Sequence, residues 1–285
     1  PRGGGFDRRA GGDDRARQRR APRGFPPHGA QRRPCRLRLD GAGRRRALAG
    51  AHRDCAPERG QPALNPREHR LPVTKTARYF TLGEPRDGLK QVWFALHGFG
   101  QLAGYFIRDF APLDDGTRLV VAPEALSRFY LGESTGATSK NARVGATWMT
   151  REDRLTEIAD YVAYLDALYA HVFTLVDRAR VTVVALGFSQ GVATACRWVA
   201  QGSSRIDRLV LWGGLVPPEI EGARDAAPLR TLRLTRVLGE RDEFATPELV
   251  RAEGERLAAL GLDAPLVRFD GGHELHAETL QALAE

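Results

Sequence analysis

The sequence predicts an α/β protein, a mostly parallel sheet with helices on both faces, preceded by a disordered basic segment. Three observations carry that prediction. From about Ala77 onward, short β-rich runs alternate with amphipathic helical stretches, the pattern of a parallel sheet covered on both sides. The 285 residues are 42% apolar, enough to fill a large core. Finally, the charge is unevenly spread: residues 1–70 hold 19 Arg, no Lys and 7 acids, a net of +12, whereas the remainder is net −4.

The first 70 residues, with Arg19-Arg20-Ala21-Pro22-Arg23 and Arg44-Arg45-Arg46, show no sustained helical or strand period. Such a composition cannot bury enough to offset its ordering entropy, so it reads as a disordered Arg/Gly/Pro-rich extension or as non-native upstream sequence. No aromatic residues interleave with these arginines as a base-stacking platform requires, and nucleic acid is not an expected partner. No run of 18 apolar residues exists, so no membrane span is expected, and a cytoplasmic setting is the expectation. Cys35, Cys55 and Cys196 form no disulfide framework. His28, Cys35, His52 and Cys55 match no regular zinc spacing, and neither a metal nor a cofactor is expected.

In residues 71–285, the strands drawn from the pattern are Arg78 to Leu82, Gln91 to Leu96, Arg118 to Ala122, Val181 to Leu186, Arg208 to Trp212, Arg233 to Leu238 and Leu266 to Phe269. One helix carries Leu155, Ile158, Val162, Leu165, Leu168, Tyr169 and Val172 at steps of three and four. Another opens with Thr246 as N-cap and Pro247 at its first position, and stops at Gly261. Between Pro123 and Thr150 a long stretch without clear period holds Gly132, Gly136 and Gly145 beside Phe129, Tyr130 and Trp148. Loops of that length are often binding loops or lids.

Chemistry enters at Gly187-Phe188-Ser189-Gln190-Gly191, directly behind the strand at Val181. A bare G-x-S-x-G arises by chance in roughly one chain in ten of this length, so its context decides. Behind a buried strand it marks a nucleophile elbow, where Ser189 stands on a strained turn and both glycines leave room for strand and helix to pass closely. A serine needs a base, and the base needs a carboxylate to fix its tautomer. His273 follows the last strand on the glycine-loosened segment Asp270-Gly271-Gly272; His276 is the alternative. Asp242 follows the preceding strand, with Glu240 and Glu243 as neighbours on its loop. The order Ser189, Asp242, His273 is that of an α/β-hydrolase, not of chymotrypsin-like or subtilisin-like enzymes. An oxyanion needs two preorganised donors, and the N–H groups of Gln190 and of Phe99, in Leu96-His97-Gly98-Phe99-Gly100, are the candidates. His97 reads as a residue that hydrogen-bonds this turn.

With these motifs in place, residues of roughly 75 to 285 resemble the phospholipase/carboxylesterase family of α/β-hydrolases, which includes acyl-protein thioesterases. That resemblance implies triad roles for Ser189, Asp242 and His273 and oxyanion roles for Phe99 and Gln190. It implies a carboxylesterase, thioesterase or lysophospholipase acting on a small-molecule ester or thioester. Two positions depart from the family pattern: Gln101 stands where an Asp is common, and Val192 where a second Gly is common. Trp148, Tyr105 and Phe129 are the candidates for an apolar substrate pocket, with ordinary core packing as the alternative. A serine peptidase or acyltransferase would use the same triad. Gly98, Gly100 and Gly104 could be read as a dinucleotide turn, and the scaffold as a non-catalytic binding protein, but neither explains the elbow, acid and base together. A homodimer is compatible with the sequence.

Overall fold

A computed structural model describes residues 65–132 and 142–285. The basic extension up to residue 64, with Cys35, Cys55, His28 and His52, lies outside the described residues, as does Gly136. Seven strands form the main sheet: β1 (Tyr79–Leu82), β2 (Gln91–Leu96), β3 (Arg118–Pro123), β6 (Thr182–Phe188), β7 (Arg208–Trp212), β8 (Arg233–Gly239) and β9 (Leu266–Phe269). Their order is β1-β3-β2-β6-β7-β8-β9. Only β1 runs antiparallel, pairing with β3; every other pair is parallel. β4 (Ser127–Tyr130) and β5 (Val144–Thr147) form a separate antiparallel pair.

The strands sit where they do because both faces are covered. β6 reads Thr-Val-Val-Ala-Leu-Gly-Phe and is buried from its second residue on, the continuous apolar run expected of a central parallel strand. On one face, α2 (Arg154–Val172) and α3 (Gln190–Gln201) pack Ile158, Leu165, Cys196 and Trp198 against alternate strand residues such as Val183 and Ala185. On the other face, α1 (Ala103–Phe106), the 3₁₀ segment Ile107–Leu113 and α6 (Ala277–Leu283) bring Phe106, Phe110 and Leu280 against Val184 and Leu186. Period-2 alternation along β6 therefore divides one strand between two cores.

The helix predicted around Leu165 is α2, but Leu155 is 74% exposed and the buried stripe begins at Ile158. α5 (Pro247–Ala259) starts as expected, with Thr246 accepting a hydrogen bond from the Leu249 N–H. Short helical pieces without a readable period were not expected: α1 with its 3₁₀ continuation, interrupted by Pro112, and α4 (Ala223–Arg230). The stretch from Pro123 to Thr150 contains the β4–β5 pair. Among the described residues no helix is long and apolar enough to cross a membrane.

Candidate active site

Ser189 links β6 to α3 with φ 53° and ψ −116°, one of two non-glycine residues with positive φ among the described residues. Strain of this kind costs about 1–3 kcal/mol and persists only when its surroundings enforce it. Here the Ser189 N–H donates to Trp212 O at 2.8 Å on the neighbouring strand. A Cβ on Gly187 would lie 2.3 Å from Gly191 O, and one on Gly191 would lie 2.2 Å from Leu96 O. Both glycines are thus required by backbone contact, which lets strand and helix close tightly enough to push the serine outward.

β8 and β9 deliver the other two groups. Asp242, on the turn after β8, has a side chain only 1% exposed. Its Oδ2 lies 2.8 Å from His273 Nδ1, and its Oδ1 accepts from the Phe244 N–H at 2.9 Å. Engaging Nδ1 leaves His273 Nε2 as the ring nitrogen available for proton transfer. The imidazole packs against Phe188 and Phe244, with ring centroids at 4.9 and 4.8 Å. Gly213 and Gly214, after β7, bring these parts together: a Cβ on Gly213 would lie 3.0 Å from His273 Cε1, and one on Gly214 2.6 Å from Ser189 O. Glu240 and Glu243 are exposed, and His276 caps α6, accepting from the Thr279 N–H at 3.4 Å.

Gln190 is the first residue of α3, where a helix leaves its N–H groups without intrahelical acceptors. In the turn after β2, the N–H groups of Gly98, Gly100 and Gln101 are used internally, by Gln101 Oε1, Ala146 O and Gly98 O. Among the described residues no acceptor meets the Phe99 N–H, and a Cβ on Gly98 would lie 3.2 Å from Ser189 Cβ. The unusual Gln101 thus has a local structural role, since its side chain closes the turn with a 2.7 Å bond from the Gly98 N–H.

β5 and the two residues after it brace the turn after β2 and the Gln190 side chain. Gly100 N–H donates to Ala146 O at 2.8 Å, Ala146 N–H to Gln101 O at 3.1 Å, and Trp148 Nε1 to His97 O at 2.8 Å. On the other side, the Gln190 amide donates to Thr147 Oγ1 and Met149 O, each at 3.0 Å, and accepts from the Trp148 N–H at 3.2 Å. His97 is fully buried, receiving the Ala125 N–H on Nε2 at 3.1 Å and facing Gly98 O with Nδ1 at 2.8 Å. Burial pulls its pKa below the ordinary histidine value, against the opposing effects of the Gly98 carbonyl and of Glu124. A neutral imidazole that both accepts and donates is a fixed part of the turn.

Beside Ser189 opens a cavity of about 220 Å³ whose apolar wall includes Leu215, Leu238, Phe244, Leu249 and Val250, with Arg236 and Glu253 also lining it. Trp148, Tyr105 and Phe129, the pocket candidates from sequence, lie elsewhere. Trp148 is 2% exposed and its indole N–H is committed to His97 O. Phe129 packs on Phe99 with centroids at 5.1 Å, and Tyr105 lines a second cleft beside Gly100 and Gln101. The wall of the cavity beside Ser189 comes from β7, β8, α5 and the turns after β7 and β8, segments whose convergence no local pattern announces. Val192, the other departure from the family pattern, is fully buried against the Gly214 backbone. The buried Cys196 has its thiol pushed up to about 12 by desolvation, which makes it unreactive.

No protein-family model matches the chain, and no curated protein matches it. Solved structures do share its fold. Esterase PE8 aligns with a TM-score of 0.53 at 21% identity, covering 73% of this chain and 96% of its own. An acyl-protein thioesterase 2 from Zea mays gives 0.54 at 16% identity, covering 73% and 98%. A carboxylesterase from Mesorhizobium loti gives 0.50 at 19% identity, covering 73% and 94%. These likenesses establish the α/β-hydrolase fold predicted from the order of Ser189, Asp242 and His273.

Proposed function

We propose that the protein is a serine hydrolase of carboxylic esters, with residues 71–285 as the catalytic domain and residues 1–70 taking no part in the chemistry. The observation that carries the proposal is the strained Ser189 elbow meeting the Asp242–His273 pair across Gly213 and Gly214. Ser189 Oγ attacks the ester carbonyl while His273 Nε2 takes its proton. The N–H groups of Phe99 and Gln190 receive the developing oxyanion. His273 then protonates the leaving alcohol, Asp242 holding the imidazole in the required tautomer throughout. Water, deprotonated by His273, attacks the acyl-enzyme, and Ser189 leaves with its proton restored. Protein groups and water carry every step, and a thioester would pass through the same acyl-enzyme.

The acyl group lies in the apolar cavity beside Ser189, whose wall excludes water. Similar folds that bear the names esterase, carboxylesterase and acyl-protein thioesterase support the same reaction class. Turnover of a 4-nitrophenyl ester by the full chain is the test. Ser189→Ala should lower kcat by about 10⁶-fold, as removal of a triad nucleophile does. Undiminished hydrolysis by that variant would end the proposal.

A further inference from the structure

Arg236 lies in the wall of the Ser189 cavity with a charge that its neighbours leave largely unanswered. Its Nε donates to Ala264 O at 3.0 Å, and among the described residues no acceptor meets either Nη. The guanidinium lies along α5 at Gly254, where a Cβ would come 3.6 and 3.7 Å from the two Nη atoms. Glu253, the other charged wall residue, is already committed. Its Oε1 accepts from the Val216 N–H at 2.9 Å and from Arg256 Nη2 at 3.2 Å, and its Oε2 accepts from Arg256 Nε at 2.9 Å. Burial lowers the Arg236 pKa, Glu253 opposes this, and the like charge of Arg268 lowers it further. An arginine remains charged through such a shift. The result is a cation at the edge of an apolar cavity, beside a carboxylate that another arginine already holds.

Strand register gives its distance from the nucleophile. Gly187, two residues before Ser189, pairs with Leu211, and Leu211 pairs with Arg236. Two interstrand steps place the Arg236 backbone about 10 Å across the sheet from the elbow. The cavity between them has a volume of about 220 Å³. Ser189 and Arg236 both line this cavity, so a chain that enters it from Ser189 meets a wall that includes Arg236.

Resting on the esterase reading, we propose that Arg236 binds a carboxylate at the far end of the acyl group, so that the preferred substrates are half-esters of dicarboxylic acids about six carbons long. Water and the half-ester then give the diacid and the alcohol through the same acyl-enzyme. A carboxylate can meet both free Nη groups side by side, and the apolar wall strengthens that pairing. The leaving alcohol stays on the open side of Ser189 and takes no part in this recognition.

The experiment compares mono-4-nitrophenyl adipate with 4-nitrophenyl hexanoate, equal in acyl length, using the full chain. The wild type should favour the adipate at least tenfold in kcat/KM. Arg236→Met should move the ratio at least 100-fold toward the hexanoate, chiefly through KM, and Arg236→Lys should fall between. Equal use of both esters by the wild type, or an unchanged ratio in Arg236→Met, would overturn the inference. Hexanoate hydrolysis that depends on Ser189 would still uphold the esterase reading, so the two failures are distinguishable. If Arg236→Met does not fold, inhibition of the wild type decides: adipate should inhibit at least tenfold more strongly than hexanoate, and equal inhibition refutes the role of Arg236.

Discussion

The two flanks of Ser189 are built by different physics. On the side of the proposed oxyanion donors, six hydrogen bonds tie the turn after β2 and the Gln190 side chain to β5, Trp148 and Met149. On the cavity side, the wall is apolar contact between side chains, and Leu215, Phe244 and Leu249 remain 39%, 63% and 38% exposed. Directional bonds fix position to fractions of an ångström, as donors aimed at a developing charge require. Apolar contact is nearly indifferent to small displacements, which suits the apolar part of this wall. The contrast predicts that damage on the first flank appears in kcat and damage on the second in KM.

Of the substitutions that separate the two flanks, the largest expected effect comes from Gly145 on β5, where a Cβ would lie 2.4 Å from Gly100 O. Gly145→Val should force β5 off the turn, displace the Phe99 N–H and lower kcat by about 10²–10³-fold, the loss typical of one oxyanion donor. Steady-state kinetics on a 4-nitrophenyl ester, with circular dichroism to confirm folding, would measure it. A variant that folds with unchanged kcat would show that β5 does not hold the turn.

A smaller effect belongs to the opposite wall. Leu215→Ala withdraws part of an apolar contact worth about 1 kcal/mol at its present exposure, so KM for 4-nitrophenyl hexanoate should rise about fivefold with kcat within twofold. The same substitution should leave KM for the acetate ester almost unmoved, because a two-carbon acyl group does not reach the wall. A fall in kcat instead would mean that the wall also positions the catalytic groups, and the distinction between the flanks would fail.

The flanks also differ in how far they can be read from the sequence. Ser189, Gln190 and the paired glycines sit in one pentapeptide behind a strand, and Asp242 and His273 each follow a strand of recognisable pattern, so local order was enough to nominate them. The α/β class was equally legible because parallel strands buried on both faces leave long apolar runs. Gln101 stood out only as an exception until its bond to the Gly98 N–H explained it. The cavity wall was not legible, since Leu215, Leu238, Phe244 and Leu249 come from separate segments that meet only through the sheet register. Nor was the bond of Trp148 legible: proximity along a loop does not say that its indole N–H meets the carbonyl of His97. The β4–β5 pair was hidden within the stretch from Pro123 to Thr150, whose glycines obscure the strand period.

The smallest effect tests whether the wall helix can be loosened without touching the chemistry. Thr246 caps α5 through a 3.3 Å bond from the Leu249 N–H, and Leu249 and Val250 in the following turn line the cavity. Pro247 at the first helical position already sets the backbone angle there, and the capping bond is long, so Thr246→Ala should cost about 0.5–1 kcal/mol, near the low end for a lost cap. In a domain of this size that lowers Tm by about 1–4 °C, readable by calorimetry. KM for the hexanoate ester should rise less than twofold and kcat for the acetate ester should stay constant, because the bonds holding the turn after β2 and the Gln190 side chain are made by β5, Trp148 and Met149, not by α5. A fall in acetate turnover would show that strain in α5 reaches His273 through Phe244, coupling the two flanks.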